Sequence, residues 1–238
     1  MSAWNLVEQL TSRGLAASSD EQREMEAQAR ELLDDNIALR AVGRGETAPD
    51  FALPNALGER VKLSERLKDS AVVLSFYRGQ WCPDCSAQLE LLQDHLPDFE
   101  TRGARLVVVS PQTPTSSLST REKLGLRCEV LSDLGNEVAR SYGIAFRVPE
   151  VFRTAYDRLG VDLPSFNGDD SFELPVPATY VIGRDGIIAF AHVDADYTRR
   201  AEVSGILGAL QELASETGLG SRGGLAISGE GSGKAPSP

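Results

Sequence analysis

The chain contains little cysteine and little histidine. Its 238 residues include three cysteines and two histidines. Secreted domains that depend on disulfides carry more cysteine than this, so we expect a reducing, cytoplasmic environment. Structural zinc sites usually use four Cys or His ligands, and the sequence offers a single short Cys pair. The composition therefore argues against a disulfide scaffold and gives a zinc site little support.

The chain also lacks excess basic charge and long apolar runs. With 24 Lys and Arg against 35 Asp and Glu, its formal net charge is -11 at pH 7. Nucleic acids and anionic membranes attract basic surfaces, so we expect neither as a partner. No apolar run approaches membrane-spanning length, and the first residues lack the basic-then-apolar pattern of a secretion signal. No Gly-x-Gly-x-x-Gly follows a predicted strand, so we expect no bound nicotinamide or flavin dinucleotide.

What the chain does have is two cysteines three residues apart, in Trp81-Cys82-Pro83-Asp84-Cys85. Just before them, the apolar, β-branched run at 71–77 predicts a strand that is buried on both faces. Pro83 suits the first position of a helix, and apolar residues then recur at three- and four-residue steps until Pro97, which should end or kink the helix. The pattern therefore places Cys82 at a strand-to-helix junction.

This position suits redox chemistry. A thiolate, rather than a thiol, attacks a peroxide or a disulfide, and unpaired N–H groups at a helix start stabilise negative charge. The helix dipole supplies only about 0.3–1 kcal/mol, less than the ~1.36 kcal/mol of one pKa unit, so local hydrogen bonds must add to it. Cβ atoms three residues apart on a helix are about 5–6 Å apart, so a small adjustment lets Cys82 and Cys85 form a reversible disulfide.

The sequence divides into three predicted parts. Residues 1–43 predict an N-terminal helical extension, in which Ser18 and Glu21 form a capping box and Gly43 suits the helix end. We expect this extension to pack on the core or on a second copy of the chain, giving a homodimer. Residues 44–217 predict one α/β domain. Residues 218–238 are rich in Gly and Ser and predict a disordered tail.

Within the α/β domain, predicted strands alternate with predicted helices. The strand at 71–77, the helix from Pro83 and the strand at 105–110 form a βαβ unit, so the two strands should be parallel. The long connection at 147–176 is a candidate lid or binding loop. The remaining predicted elements are a hairpin over 51–63, a helix at 115–125, a short strand at 130–131, a helix at 136–142, an antiparallel hairpin of 178–182 with 187–193, and a final amphipathic helix at 198–217.

Several segments resemble peroxiredoxins of the alkyl hydroperoxide reductase and thiol-specific antioxidant group. The resemblance covers about residues 45–193, and Tyr77 to Cys85 is similar to a subgroup that carries Tyr-Arg-Gly-x-Trp-Cys-Pro-x-Cys. It implies a thioredoxin fold, with a mixed central sheet and helices on both faces. It also implies reduction of hydroperoxides with thioredoxin or another thiol as reductant. The matching segments are Gly45-Glu46-Thr47-Ala48-Pro49-Asp50-Phe51, Phe76-Tyr77, Val109-Ser110-Pro111, Leu131-Ser132-Asp133 and Tyr142-Gly143.

The chain departs from ordinary members of that group at three positions. Ordinary members carry a Pro-x-x-x-Thr-x-x-Cys motif. When the motif is aligned from Phe76-Tyr77, Arg78 stands in place of its proline, Cys82 in place of its threonine, and Cys85 in place of its peroxide-attacking cysteine. Where they hold an arginine before a later strand, this chain has Val176-Pro177, and Pro177 resembles the cis-proline of thioredoxins. Arg78 is then the candidate for the missing cation. Trp81 and Pro83 complete the predicted site as residues that shape it.

The residues leave both the roles and the activity open. Thioredoxin-like logic makes Cys82 the exposed nucleophile and Cys85 its resolving partner, whereas the peroxiredoxin register makes Cys85 peroxidatic. The first hypothesis is a thiol peroxidase, and the alternative is a disulfide reductase or isomerase in which Pro177 holds the substrate. A minor alternative is a zinc-binding module. The other residues that a zinc site could use, each expected here to be structural, are Cys128, His95 and His192.

Overall fold

A five-stranded mixed sheet forms the centre of the protein in a computed structural model, which describes residues 10–15, 18–34 and 37–216. The strands are β1 (Ala52–Pro54), β2 (Arg60–Lys62), β3 (Ala71–Phe76), β4 (Ala104–Ser110), β5 (Glu129–Ser132), β6 (Ala145–Arg147), β7 (Glu173–Pro175), β8 (Ala178–Ile182) and β9 (Ile188–Val193). The central order is β5-β4-β3-β8-β9, with β4 parallel to β3 and β5, and β8 antiparallel to β3 and β9. Two small antiparallel pairs, β1–β2 and β6–β7, lie outside it.

Helices cover both faces of this sheet, as predicted. They are α1 (Ser19–Asp34), α2 (Ile37–Arg40), α3 (Leu63–Arg66), α4 (Pro83–Asp94), α5 (Leu96–Thr101), α6 (Pro114–Lys123), α7 (Glu137–Ser141), α8 (Glu150–Arg158), α9 (Leu163–Asn167) and α10 (Val203–Glu216), with a 3-10 turn at Leu134–Asn136. Apolar residues of α4, α5 and α10 fill one core cluster, and those of α2, α3 and α7 fill the other. Across the described helices, none is long and apolar enough to cross a membrane.

Strand β3 is the centre of the core. All six of its residues are buried, and alternate side chains enter opposite clusters: Val72 and Leu74 on one face, Val73 on the other. Burying one such aliphatic side chain contributes about 1.5–3 kcal/mol. This two-sided burial explains why the run at 71–77 lacks polar alternation. It also holds the carboxyl end of β3 rigidly beneath the cysteine motif.

Most predicted elements are confirmed. The β3–α4–β4 unit has parallel strands, and both predicted hairpins pair antiparallel. In the capping box, the Ser18 N–H donates to Glu21 Oε2 at 2.6 Å and the Glu21 N–H donates to Ser18 Oγ at 3.2 Å. Helix α4 ends at Asp94, and α5 begins with Pro97 in its first turn. Residues 1–9 and the predicted tail at 218–238 lie outside the described residues.

The N-terminal extension packs on the α/β domain. Leu10 and Met25 are buried in a third apolar cluster together with Phe152 and Tyr156 of α8. The extension therefore has a surface to pack on within its own chain. The homodimer stays a prediction.

The connection at 147–176 is not the open loop that the sequence predicted. It contains helices α8 and α9 and strand β7, which pairs with β6. The prolines that suggested a loop lie at helix starts: Pro149 is the N-cap of α8, and Pro164 lies in the first turn of α9. A proline is tolerated there because the first N–H groups of a helix have no intrahelical partner. The connection is therefore a folded segment, and its role as a lid or binding segment stays a prediction.

The final helix begins five residues later than predicted, at Val203 rather than at 198. The Asp196 carboxylate accepts hydrogen bonds from the Thr198 N–H at 3.1 Å and from Thr198 Oγ1 at 2.7 Å. Such local side-chain bonds favour a turn over a helix. Residues 194–202 consequently form a loop between β9 and α10, which we name the capping loop.

Candidate active site

The cysteine pair lies where β3 leads into α4. Cys82 is the N-cap of α4, with φ -97° and ψ 109°, and Pro83 occupies the first helical position. The N–H groups of Cys85 and Ser86 both donate to the Cys82 carbonyl at 3.1 Å. Cys82 therefore lies at the helix start and Cys85 in the first turn, which is the arrangement that the spacing predicted.

Both cysteines of the pair are buried and reduced. Cys82 and Cys85 are each 1% exposed, and both are free cysteines. Apolar residues of α4 such as Leu89 pack around them. The exposed Cys82 of the thioredoxin-like alternative is therefore not what the structure shows.

Arg78 brings a buried positive charge to the pair. Its side chain is 4% exposed, and Nη2 donates to Cys82 Sγ at 2.9 Å while Nη1 donates to Tyr156 Oη at 3.2 Å. The guanidinium carbon lies 3.9 Å from the Tyr197 ring centroid and 5.4 Å from that of Trp81. Within the described residues, no carboxylate forms an ion pair with Arg78. A buried charge needs a counter-ion, and a thiolate of the pair is the anion at hand.

A second arginine reaches the pair from the capping loop. Arg200 is half-buried, and its Nη2 donates to Cys85 Sγ at 3.7 Å. The sequence predicts one amphipathic helix over 198–217 and places Arg200 on it, so Arg200 is not among the predicted site residues. The Asp-x-Thr turn signal in Asp196-Tyr197-Thr198 would have separated it from that helix.

The two arginines and the interaction between the sulfurs move the pKa values of the two cysteines apart. Burial raises the pKa of Cys82 well above the ordinary value, and the hydrogen bond with Cys85 and its charge raise it further. Burial also acts to raise the pKa of Cys85, but the hydrogen bond from Cys82 and the charges of Arg78 and Arg200 outweigh it and hold the pKa well below that value. The pKa values of the two sulfurs are thus pushed in opposite directions, and that of Cys85 is the lower. This reverses the expectation that the helix start acidifies Cys82.

Gly79 lets the loop between β3 and α4 pass close to Trp81. Its φ is +153°, and a Cβ at this position would lie 2.4 Å from Trp81 Nε1. Trp81 in turn stands edge-on to Tyr156, with ring centroids 5.0 Å apart. Trp81 thus packs beside Arg78, and glycine at 79 is what allows that packing.

Two tyrosines that the sequence analysis did not place in the site complete the surroundings of Arg78. Tyr156 comes from α8 and Tyr197 from the capping loop, and burial raises the pKa of both phenols, so both remain neutral. Tyr197 is 5% exposed. No sequence pattern links these two residues to Arg78, because each approaches it from a distant part of the chain.

Pro177 does not have the predicted thioredoxin-like conformation. The Val176–Pro177 peptide is trans, and Pro177 is buried. The Val176 N–H donates to the Ile144 carbonyl at 2.8 Å, and the chain then continues extended into β8. Since both sides of the proline are held by strand pairing, the comparison with a cis-proline is wrong.

The remaining cysteine and histidines have structural environments. Cys128 is half-buried, and burial raises its pKa to about 12, so it stays a thiol. His95 Nδ1 lies 2.8 Å from Asp98 Oδ2, and His192 pairs with Thr179 across β8 and β9. In the part of the chain that the structure describes, no group of three or more His, Cys, Asp or Glu side chains could hold a metal ion.

Comparisons with known sequences find one matching family and several relatives. The sequence model of the AhpC/TSA family matches residues 44–191. A peroxiredoxin-type protein of Mycobacterium tuberculosis is 35% identical over 99 residues, which cover 42% of this chain and 62% of that protein. The chloroplastic peroxiredoxin Q of Populus jackii is 27% identical over 153 residues, covering 64% of this chain and 61% of that protein. The chain thus spans less than two thirds of the length of these curated relatives.

Solved structures show the same fold. Peroxidoxin BcpB from Mycobacterium tuberculosis superposes with a TM-score of 0.57 at 22% identity, over 72% of this chain and 98% of that one. A peroxiredoxin-like protein from Aquifex aeolicus superposes with a TM-score of 0.58 at 16% identity, over 73% of this chain and 88% of that one. At these identities the likeness concerns the fold, and it supports the predicted thioredoxin-type architecture.

Proposed function

Because the chain belongs to the AhpC/TSA family, we propose that it is a thiol peroxidase that reduces hydrogen peroxide or an organic hydroperoxide through Cys85 and Cys82. The observation that carries the proposal is the charge arrangement at the pair. Cys85 lies within reach of Arg200, and Cys82 accepts a hydrogen bond from the buried Arg78. A thiolate beside fixed cations is the species that attacks a peroxide oxygen.

In the first step, Cys85 is the nucleophile. Its thiolate sulfur attacks one peroxide oxygen, the O–O bond breaks, and the other oxygen leaves as hydroxide or alkoxide and takes up a proton. The sulfur is oxidised to a sulfenic acid while the peroxide is reduced to water or an alcohol. The lowered pKa of Cys85 supports this assignment over the reverse one.

In the second step, Cys82 resolves the sulfenic acid. Once the Cys85 charge is gone, Arg78 favours the Cys82 thiolate through its 2.9 Å hydrogen bond to Sγ. That sulfur attacks the sulfenic sulfur, a disulfide forms, and the sulfenic oxygen leaves with protons as water. A dithiol such as thioredoxin then reduces the disulfide by thiol exchange. We propose that this cycle takes place in the cytoplasm.

Disulfide exchange as the main activity has less support. That hypothesis needs Cys82 as the attacking thiolate and Pro177 beside the substrate. The pKa of Cys82 is instead raised, and Pro177 is trans and buried. Rapid reduction of a protein disulfide is therefore the outcome that would replace our proposal.

The test compares wild type with Cys82→Ser and Cys85→Ser in stopped-flow peroxide consumption, with a dithiol as reductant. Cys85→Ser should lose peroxide consumption. Cys82→Ser should react once and accumulate a sulfenic acid that dimedone traps at Cys85. Trapping at Cys82 in the Cys85→Ser variant, or wild-type consumption no faster than that of a free thiol, contradicts the proposal.

A further inference from the structure

The two arginines at the cysteine pair differ in how their hydrogen-bond donors are used. In Arg78, both terminal nitrogens donate to site residues and aromatic rings lie against the guanidinium. Arg200 has one contact with the pair, the 3.7 Å approach of Nη2 to Cys85 Sγ. In both arginines the buried Nε has no partner among the described residues, so the difference lies in the terminal nitrogens. Arg78 is therefore committed to holding the site together, whereas Arg200 keeps donors unused beside the sulfur.

Arg200 also differs in its access to solvent. Its side chain is half-buried, although the sulfur that it approaches belongs to a residue that is 1% exposed. A single flexible side chain thus reaches from the surface to Cys85. A small molecule that enters beside this guanidinium meets its donors and the sulfur together.

On the basis of the proposed function, we propose that Arg200 is a further catalytic residue, which donates hydrogen bonds from its guanidinium to the peroxide oxygens during attack by Cys85. Negative charge develops on the leaving oxygen as the O–O bond breaks. A donor that is already in place at that oxygen stabilises the transition state more than the ground state. The long 3.7 Å contact to Cys85 Sγ leaves Nη2 able to bond a peroxide oxygen instead.

The test isolates Cys85 as the one sulfur. The chain has three cysteines, so a Cys82→Ser/Cys128→Ser background leaves Cys85 alone. In that background, Arg200→Gln is compared with the unchanged Arg200 and with Arg199→Gln. Arg199 is the matched control because its side chain is 72% exposed and faces Asp194 and Asp196 rather than the pair.

Two reactions are followed from low to high pH, and their plateau rate constants are compared so that a shift in the Cys85 pKa does not affect the result. Hydrogen peroxide forms the sulfenic acid and expels an oxygen anion. N-ethylmaleimide adds to the same thiolate and expels no anion beside the sulfur. We expect Arg200→Gln to lower the peroxide plateau about 100-fold and to leave the maleimide plateau close to that of Arg199→Gln.

The alternative outcomes are distinct. If both plateaus fall by the same factor, Arg200 acts on the sulfur or on the fold of the site, and the proposal is overturned. If neither falls, Arg200 makes no contact with the peroxide, and the proposal is overturned while the peroxidase assignment stands. If the unchanged background itself reacts with peroxide no faster than a free thiol, both proposals fail.

Discussion

The two loops that meet at the cysteine pair are held in place differently. The loop between β3 and α4, residues 77–82, continues directly from the buried central strand and is fixed by backbone bonds, including Tyr77 N–H to the Val109 carbonyl at 2.9 Å and Cys82 N–H to the Gly79 carbonyl at 3.1 Å. The capping loop instead bonds mainly within itself, through Asp194 and Asp196. The β3–α4 loop is thus held by backbone bonds at the end of the central strand, whereas the capping loop is held mainly by hydrogen bonds within itself.

The contacts of the capping loop with the site are made largely by side chains. Tyr197 stacks on Arg78, Arg200 approaches Cys85, and the Ala201 carbonyl accepts a 3.5 Å hydrogen bond from Gln88. Side-chain contacts of this kind each contribute about 0.5–2 kcal/mol. We infer that the β3–α4 loop sets the geometry of the pair and that the capping loop adjusts its chemistry at little cost in stability.

The largest expected effect comes from removing the charge of the β3–α4 loop. Arg78→Met keeps much of the side-chain volume but leaves the Cys85 thiolate without its buried cation. Breaking a buried ion pair on one side costs about 3 kcal/mol or more, so the free energy of unfolding should fall by that amount. Denaturant unfolding in reducing buffer measures it, with Arg200→Met as the matched variant in the capping loop, where we expect ~1 kcal/mol or less. Equal losses in the two variants would show that the loops do not differ.

The β3–α4 loop and the elements beside it could be predicted from the sequence for a physical reason. A strand buried on both faces, a proline at a helix start and two cysteines in one helical turn are all local patterns. Each leaves its mark within a few residues, so the run at 71–77, Pro83 and the Cys82–Cys85 spacing could be read directly. The predicted β3–α4–β4 unit follows from the same patterns.

The capping side of the site was not predictable in the same way. Arg200 lies 115 residues from Cys85 along the chain, and no local pattern records a contact over that distance. The turn at Asp196 interrupts a run whose apolar spacing alone predicts a helix. Which sulfur carries the charge was also out of reach, since it depends on the joint positions of Arg78 and Arg200 rather than on the helix start.

A second prediction tests how tightly the β3–α4 loop packs. Gly79→Ala should lower the free energy of unfolding by about 2 kcal/mol, because the new methyl group collides with Trp81 and the positive φ is strained. Gly58→Ala is the control, since Gly58 has φ +84° but open space around a Cβ. The difference between the two variants in denaturant unfolding isolates the collision. If Gly79→Ala lowers the free energy of unfolding no more than Gly58→Ala does, the β3–α4 loop can shift to accommodate the methyl group.

A third prediction concerns the negative charge on Cys85, the sulfur beside which the two loops lie. The pKa of Cys85 in the folded protein lies below that of an unfolded thiol, about 8.5. The thiolate therefore stabilises the fold fully above the unfolded pKa, and this contribution is lost as the pH falls through the folded pKa. Between the two values, the free energy of unfolding of the reduced protein should rise by up to ~1.36 kcal/mol per pH unit.

Denaturant titrations of wild type and Cys85→Ser at a series of pH values below 8.5, the pKa of an ordinary thiol, measure this slope as a difference between the two proteins. Subtracting the variant removes the contribution of groups that titrate alike in both. Parallel curves would place the charge elsewhere than on Cys85, and the division of the pair into a thiol and a thiolate would then be wrong.

The smallest expected effect belongs to the contact that attaches the capping loop to the β3–α4 loop. Tyr197→Leu removes the ring that lies 3.9 Å from the Arg78 guanidinium, whereas Tyr197→Phe keeps the ring and removes the hydroxyl. A desolvated cation–π contact contributes about 1–2 kcal/mol. The free energy of unfolding of Tyr197→Leu should therefore be lower than that of Tyr197→Phe by about that amount, with Tyr197→Phe close to wild type.

Hydrogen exchange of the amides at 194–202 should accelerate in Tyr197→Leu while exchange at 77–82 stays slow, because the capping loop depends on this contact and the β3–α4 loop does not. Acceleration in both loops would show that Tyr197 supports the whole site and that the two loops form one unit.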